Sequence, residues 1–369
     1  MRAITAELEG TETPVKFIVN VGDNFYPAGV GSKNDAVWRH EWGDIYHGLP
    51  PMKWYGTYGN HDYGQLNRQC ICSVGEDVPG TKCAQVQKHG AKLNDQTWHM
   101  PSMNYYEAPL PGVNLEIVSL DTNVLDAHKI CPWIECGCAK CPCPQDFEPV
   151  EGAAGRRQLD EEVRRRLEAQ IGGRDAGVRR QLAGWLGRCS AWDCRQTLEK
   201  RAEAGFKLLE ERIQAAEATD RQLIVVTHYP TTWFRYGAPR YNGKTHLDLL
   251  KNPRVKIAYF AGHVHSTDNK TNVNPSMRRH GWNDYCVGGG GGWACDDAHT
   301  GVSQGVVVGE VMSNGKVVNL RFEMVPDRDC CFWNPHGGKV KNSRTGEWVK
   351  PEELEAAIQA SRTSPPPPG

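Results

Sequence analysis

Short apolar runs that end in turn residues recur along most of the chain and predict the strands of a sheet. The predicted strands are Val15–Val21, Lys53–Tyr58, Leu115–Leu120, Leu223–Val226, Val255–Phe260, Gly305–Val311 and Val317–Val325. The last two runs flank the dipeptide Asn314-Gly315, which is typical of a tight hairpin turn. We therefore expect these two strands to be antiparallel neighbours.

One segment has the three- and four-residue spacing of an amphipathic helix. Between Leu198 and Ala218, the apolar positions with this spacing are Leu198, Ala202, Phe206, Leu209 and Ile213. A helix that directly precedes the Leu223–Val226 strand is half of a strand–helix–strand crossover. The pattern therefore predicts the α/β class, with helices packed outside a sheet.

Two stretches lack this regular alternation and are interpreted as insertions into one domain. The first, at about residues 68–97, is polar and rich in Gly and Lys; the second, at about 128–195, joins a Cys-Pro segment to a charged helical region. We predict that the domain covers residues 1–325. Residues 326–369 form a C-terminal extension, and its proline-rich tail from Ser361 has the composition of a disordered segment.

The composition narrows the functional classes. The 369 residues can bury a substantial core. Their formal net charge of -1 argues against a dedicated nucleic-acid-binding or membrane-surface protein. No apolar run is long enough to cross a bilayer, so we predict no membrane span.

Cysteine is abundant and even in number, with fourteen residues. Close pairs predict disulfides, and therefore a secreted or a vacuolar or lysosomal protein. The close pairs are Cys70 and Cys72, Cys189 and Cys194, and Cys330 and Cys331, and the sequence does not fix which cysteines are bonded to each other. The run Cys131–Cys143 allows either a zinc knot or a disulfide-stapled loop, and the oxidising compartment favours the loop. No signal peptide follows Met1, and we expect the native start to lie upstream of it.

Polar residues with metal-binding side chains follow several of the predicted strands. They lie in the runs Gly22-Asp23-Asn24-Phe25-Tyr26, Gly59-Asn60-His61-Asp62, Thr227-His228-Tyr229-Pro230 and Gly262-His263-Val264-His265. Side chains at the carboxyl ends of strands meet in one crevice of an α/β sheet. No packing role explains a carboxylate, a phenol, a carboxamide and three imidazoles at such positions. The pattern therefore predicts a two-metal hydrolytic site.

The donor types suit two different ions. Asp23 lies on a tight glycine turn where its carboxylate can bridge both, and Tyr26, three residues later, reaches the same place. A phenolate oxygen is a strong donor for Fe(III). Asn60 supplies a neutral carbonyl oxygen. The imidazole donors, which suit iron, zinc and manganese, are His228, His263 and His265.

Together these motifs resemble those of the metallophosphoesterases, specifically the small, tartrate-resistant type of purple acid phosphatase. Tyr26 distinguishes that branch from the protein phosphatases and nucleotide phosphodiesterases of the superfamily. The resemblance spans most of residues 15–325 apart from the two insertions. It implies a four-layer αββα sandwich of two mixed sheets, here without its first strand.

The resemblance also implies a ligand set. Tyr26 and His265 would bind Fe(III), and Asp23 would bridge it to a divalent ion of iron, zinc or manganese. The ligands of the divalent ion would be Asn60, His228 and His263.

The same resemblance implies the activity, which is acid phosphatase action on small phosphomonoesters or phosphoproteins. Hydroxide held by the metals would attack phosphorus in line. His61 would be the catalytic residue that assists the leaving group, and His61 and Asn60 would face the phosphate.

The sequence departs from the family pattern at two points. An Asp-x-Gly motif that completes the iron site in the family is missing, since the twenty-two residues before Asp23 contain no aspartate. Either the sequence is truncated at its N-terminus, which we favour, or the chain is a natural short form with a weakened iron site. A second substrate-facing histidine is also missing after His228, and Arg235, Tyr236 and His246 are candidate substitutes.

Two other functions stay open at this point. One is a nucleotide phosphodiesterase of the same superfamily, which a comparison of nitrophenyl phosphate with its bis-ester distinguishes. The other is an inactive, truncated form that acts as a binding protein, which metal analysis distinguishes.

Overall fold

The structure is a computed structural model of the chain. It describes residues 14–26, 29–63, 68–71, 82–136, 191–235, 238–264, 283–287 and 305–324, together with positions 5, 8 and 11 and the short strands 267–268, 340–341 and 348–349.

Four strands form the first sheet, in the order β1-β2-β4-β3. They are β1 (Phe17–Val19), β2 (Lys53–Tyr55), β3 (Lys92–Leu93) and β4 (Gln96–His99). The first three in this order run parallel, and β3 is antiparallel to β4. Trp98 of β4 is fully buried, so the end of the polar stretch at 68–97 leads directly into an interior strand of the sheet.

Six strands form the second sheet, in the order β5-β6-β7-β8-β10-β9. They are β5 (Tyr105–Glu107), β6 (Leu115–Ser119), β7 (Gln222–Val226), β8 (Ile257–Ala261), β9 (Thr267–Asp268) and β10 (Asn283–Val287). The four inner strands are parallel, and both edge strands are antiparallel to their neighbours. Every residue of β6 and β7 is buried, as expected for parallel strands that are covered on both faces.

Successive residues of β7 face different layers. Ile224 and Val226 belong to the core that includes Tyr55 of the first sheet, so the two sheets pack face to face. Leu223 and Val225 face the opposite way, into a second core. The residues that the long helix contributes to this second core are Phe206, Leu209, Ile213 and Ala216.

Helical segments cover both outer faces. On the second sheet this is the long helix, Ala191–Thr219, which confirms the predicted helix and extends it at the N-terminal end. On the first sheet, Trp54 lies beside Trp98 in register, and both rings pack edge to face against Trp42 of the helical turn Trp38–Gly43. The structure thus confirms the predicted α/β sandwich of two mixed sheets.

Apart from the long helix, the helices are short. The helices are α1 (Arg68–Ile71), α2 (Ala84–Gln87), α3 (Ala127–Cys136), α4 (the long helix Ala191–Thr219) and α5 (His246–Leu250), and single helical turns span His61–Tyr63, Asn123–Asp126 and Thr231–Arg235. The predicted hairpin is confirmed, since β11 (Gly305–Val311) pairs antiparallel with β12 (Val317–Met324).

In the C-terminal extension, β13 (Val340–Lys341) pairs with β14 (Trp348–Val349), and the tail from Ser361 lies outside the described residues. Within the described part of the chain, no helix is long and apolar enough to span a membrane.

The described residues contain two disulfides, Cys70–Cys83 and Cys131–Cys194. The structure thus contains disulfides, as the cysteine content predicts. Cys70 and Cys194 are bonded to partners more distant in the sequence than Cys72 and Cys189, because the fold brings α3 and α4 together and closes Cys70 onto the start of α2. Since Cys131 is in a disulfide, it is not a zinc ligand. The pair Cys330–Cys331 lies outside the described residues.

Candidate metal centre

Four of the predicted metal ligands meet at the carboxyl ends of β1, β2, β7 and β8. The Nε2 atom of His228 lies 2.9 Å from Oδ1 of Asn60 and 3.4 Å from Oδ1 of Asp23. The Nδ1 atom of His263 lies 3.1 Å from the same Asn60 oxygen. The side chains of His228 and Asp23 are almost completely buried, with 1% and 7% exposed.

Tyr26 and His61 lie beside this group. The Tyr26 hydroxyl donates to Oδ2 of Asp23 at 2.9 Å, and its ring centroid lies 4.5 Å from that of His61. The backbone N–H of His61 donates to the other carboxylate oxygen of Asp23 at 3.0 Å. Asp23 therefore joins the two turns that carry Tyr26 and His61. His265, the remaining predicted ligand, lies outside the described residues.

Two of the predicted ligands have a backbone conformation that residues other than glycine rarely adopt. Asp23 has φ 55° and His263 has φ 64°, both in the left-handed region. The other non-glycine residues with positive φ in the described part of the chain are all Asn or Asp. Because a histidine is strained there, the surrounding turn must hold His263 in place, as is common at functional sites.

Glycine is required where the turns touch. A Cβ atom on Gly22 would lie 2.7 Å from both the backbone nitrogen of Gly59 and Nδ1 of His228. Gly22 also has φ +94°, which favours glycine. The motifs thus contain glycine because the backbone of one turn packs against the ligands of another.

One buried carboxylate was not assigned a role from the sequence. Asp62 accepts hydrogen bonds from the backbone N–H of Gly59 at 2.8 Å and of Asn24 at 2.9 Å, and from Nε2 of Gln85 at 2.7 Å. Burial, and then the nearby charge of Asp23, raises the pKa of Asp62 to about 7. Asp62 fastens the first two motifs to each other. Its position directly after His61 was the available signal.

The charges in this group depend on one another. Burial alone would raise the pKa of Asp23, but His228 and His61 lower it well below its usual range. Burial lowers the pKa of His228, but the Asp23 carboxylate, the Val21 carbonyl and the Asp62 carboxylate together raise it, so the net shift is upward. The group therefore favours a carboxylate and a compensating positive charge beside it.

The tautomer of His228 follows from its backbone contact. Its Nδ1 lies 2.9 Å from the carbonyl oxygen of Val21, which can only accept, so Nδ1 carries the proton. In the neutral ring, Nε2 then presents a lone pair to Asn60 Oδ1 and Asp23 Oδ1, which are also acceptors. With the Asn60 amide in this orientation, three acceptors face each other at these distances, and a cation, either a proton on His228 or a metal ion, would stabilise them.

The spacing of the donors fits a metal ion. Two ligand atoms at right angles around an ion, each about 2.1 Å from it, lie about 3 Å apart. The contacts of Asn60 with His228 and His263, at 2.9 and 3.1 Å, match that spacing. In the described part of the chain, no three His, Cys, Asp or Glu side chains form a metal-binding cluster by themselves.

Two of the other residues singled out from the sequence have structural surroundings. Asp121 accepts hydrogen bonds from the backbone N–H of Asn123 at 3.0 Å and from the Tyr63 hydroxyl. It therefore supports the backbone around the crevice. His246 is buried against the rings of Phe206 and Phe234, away from the metal ligands, and burial lowers its pKa to about 4. His246 is therefore not a substitute for the missing substrate-facing histidine. The side chains of Arg235 and Tyr236 lie outside the described residues.

Comparison with known proteins finds relatives for part of the chain. No family model matches it. Tartrate-resistant acid phosphatase type 5 of Rattus norvegicus is 28% identical over 129 residues, which is 33% of this chain and 32% of that protein. The Homo sapiens protein of the same name is 30% identical over 115 residues, 30% of each chain. Purple acid phosphatase 7 of Arabidopsis thaliana is 38% identical over 55 residues, 15% of this chain and 17% of that protein.

Among solved structures, the chain is similar to GAP50, described as the anchor in the inner membrane complex of Plasmodium. That similarity has a TM-score of 0.39 and 16% sequence identity, and covers 85% of this chain and 80% of the other. The chain matches less than a third of the length of the plant relative and about a third of the mammalian ones. Over that part, its sequence is similar to those of purple acid phosphatases.

Proposed function

We propose that the chain is an acid phosphatase that hydrolyses phosphate monoesters at a centre of two metal ions. The observation that carries this proposal is the convergence of three potential ligand atoms, Asn60 Oδ1, His228 Nε2 and His263 Nδ1, beside the Asp23 carboxylate. The partial sequence similarity to tartrate-resistant and purple acid phosphatases supports the same activity.

The side chains divide between a divalent site and an iron site. Asn60, His228 and His263 would hold the divalent ion, which is iron, zinc or manganese. Tyr26 would hold Fe(III) together with His265, and its hydroxyl already reaches the Asp23 carboxylate. When bound, two such ions neutralise phosphate oxygens and lower the pKa of water.

His61 is the proposed general acid. Its backbone is fixed by Asp23, and its ring lies against that of Tyr26, so it is held at the edge of the ligand group without joining it. From this position, His61 would protonate the leaving oxygen of the ester while Asn60 orients the phosphate. The ring of Trp233, whose centroid lies 4.5 Å from that of His263, forms part of the wall beside the divalent site.

The expected substrates are small phosphomonoesters or phosphoproteins. The two disulfides suit an oxidising compartment, so we propose a secreted or a vacuolar or lysosomal location.

The test is hydrolysis by the purified chain, loaded with iron and zinc, of nitrophenyl phosphate and of bis-nitrophenyl phosphate. An acid phosphatase hydrolyses the monoester much faster. Faster hydrolysis of the bis-ester would identify a phosphodiesterase instead. A chain that binds metal but hydrolyses neither ester, or that binds no metal, contradicts the proposal.

A further inference from the structure

The guanidinium of Arg201 lies completely inside the protein, between α4 and the turn that carries the proposed active-site residues. The residue is 1% exposed. Its Nη1 donates to the hydroxyl of Tyr63 at 2.8 Å, and its Nη2 donates to the backbone carbonyl of Cys70 at 2.5 Å. An uncompensated buried charge is strongly destabilising, so Arg201 needs an explanation beyond packing.

The charge of Arg201 is balanced through Tyr63. Among the described residues, no carboxylate forms a direct ion pair with this guanidinium. Instead, the Tyr63 hydroxyl accepts from Arg201 and donates to Asp121, so it lies between a buried cation and a buried carboxylate. A hydroxyl with both a charged donor and a charged acceptor is held in one orientation more firmly than one with neutral partners.

Tyr63 is the last residue of the helical turn His61–Tyr63. Its backbone N–H donates to the carbonyl oxygen of Asn60 at 3.3 Å, which closes the turn around His61. Asp62 holds the same turn from its other side, through Gly59 and Gln85. The position of His61 is therefore fixed by its two neighbours, Asp62 and Tyr63.

Both of these supports lead to one disulfide. Cys70 contacts Arg201 through its carbonyl oxygen and its sulfur, and Cys83 contacts the same guanidinium through its sulfur; both sulfur contacts are 3.6 Å. Cys83 also directly precedes α2, which carries Gln85, the partner of Asp62. The bond between Cys70 and Cys83 thus joins the Arg201–Tyr63 support to the Gln85–Asp62 support.

We propose that Arg201 is a positioning residue for the turn that holds Asn60 and His61, and that the Cys70–Cys83 disulfide keeps Arg201 in place. This proposal rests on the proposed phosphatase function for its kinetic readout, while its structural readout is independent of that function. A displacement of about 1 Å at His61 is enough to reduce turnover by up to about 100-fold.

The experiment uses the full, metal-loaded chain and three variants: Tyr63→Phe, Arg201→Met, and the pair Cys70→Ala with Cys83→Ala. Each is assayed for kcat and KM on nitrophenyl phosphate, for bound metal, and for hydrogen exchange of the backbone amides of residues 59–63. We expect kcat to fall about 10- to 100-fold with KM within about twofold and metal retained. Exchange at 59–63 should accelerate, while exchange in β6 and β7 is unchanged. Arg201→Lys, which keeps the charge, should recover part of the lost rate.

Two matched controls separate positioning from general destabilisation. Tyr105→Phe removes another buried hydroxyl, whose partners are the carbonyl oxygens of Gly56 and His99 outside the turn. Replacement of both Cys131 and Cys194 by Ala removes the disulfide that joins α3 to α4. Both controls should lower stability without accelerating exchange at residues 59–63 relative to exchange in β6 and β7.

The proposal is overturned if Tyr63→Phe and Arg201→Met leave exchange at residues 59–63 as in the wild type, whether or not they change kcat. It is also overturned if the Cys131 and Cys194 replacement accelerates that exchange as much as the Cys70 and Cys83 replacement. If the wild-type chain hydrolyses no phosphate ester, the proposed function fails, and the exchange data still decide the positioning role. If Arg201→Met does not fold, Tyr63→Phe alone decides.

Discussion

Gly59 and Asp23 lie against each other so closely that a Cβ atom on Gly59 would be 2.1 Å from Oδ1 of Asp23 and 2.2 Å from its backbone nitrogen. The two residues follow parallel neighbouring strands, β1 and β2, and are 36 positions apart in the sequence. Their contact means that the first two motifs form one rigid unit, in which the turn of one motif leaves no space for any side chain on the other. The metal-binding geometry therefore depends on residues that bind no metal.

Replacement of His61 by Ala should separate catalysis from metal binding. Since His61 contacts Asp23 through its backbone, the variant keeps that hydrogen bond and retains metal. Loss of the general acid should lower kcat on nitrophenyl phosphate by roughly 10²- to 10⁴-fold. The matched control is His40→Ala, at an exposed histidine whose side chain is 67% accessible. Equal activity of His61→Ala and the control would remove His61 from the mechanism.

Replacement of Tyr26 by Phe tests iron ligation. A phenolate bound to Fe(III) absorbs visible light, so the iron-loaded wild type should be coloured and Tyr26→Phe colourless. The variant keeps its ring contact with His61 and loses only the hydroxyl that meets Asp23. Tyr106→Phe is the control, at an exposed tyrosine. A visible band of unchanged intensity in Tyr26→Phe would show that another residue supplies the phenolate.

Acid should destabilise the fold through His246. Burial lowers its pKa in the folded chain from 6.5 to about 4, so the unfolded chain binds more protons between these values. The free energy of unfolding should therefore fall as the pH is lowered from 6.5 to 4, by roughly 3 kcal/mol from this residue. His246→Phe, which suits the surrounding aromatic rings, should make the urea midpoint less dependent on pH over this interval. An identical pH dependence in the variant would contradict this assignment.

The two disulfides should differ in their contribution to stability. Cys131–Cys194 closes a loop with a sequence separation of 63, and Cys70–Cys83 one of 13. From loop-closure entropy, replacement of Cys131 and Cys194 by Ala should lower the free energy of unfolding by about 4 kcal/mol. Replacement of Cys70 and Cys83 by Ala should lower it by about 3 kcal/mol. Urea unfolding of both variants measures this. The reverse order would show that contacts in the folded state, such as those of Arg201, outweigh the entropy of the unfolded chain.

Much of the fold could be predicted from the sequence because it follows from local patterns. The strand before His228 and the helix before that strand have clear periodicity, and both are present. Strands β1 and β2 end earlier than predicted, at Val19 and Tyr55, because the chain turns toward the ligand group there. After β1, a hydrogen bond from the backbone N–H of Gly22 to the side-chain oxygen of Asn20 fixes this turn.

Other features depend on contacts between distant segments, which no local pattern reveals. The disulfide partner of Cys70 is set by the fold, which brings α1 to the start of α2, and the sequence between them has no periodicity. The short strand β4 could not be recognised for the same reason, although Trp98 is buried at its centre. Arg201 reads as one more charged residue of an amphipathic helix, and only the fold shows that it faces inward.

The most direct test of the account is the amount of metal retained by the purified chain, measured by mass spectrometry of the wild type, Gly59→Ala and Gly43→Ala. We predict about two ions per chain in the wild type and roughly tenfold fewer in Gly59→Ala, because the added methyl group displaces Asp23. Gly43→Ala has ordinary space for a Cβ atom, with its nearest neighbour at 3.5 Å, and should retain as much metal as the wild type. A wild-type chain without metal, or a Gly59→Ala variant that holds as much as the wild type, would contradict the proposed metal centre.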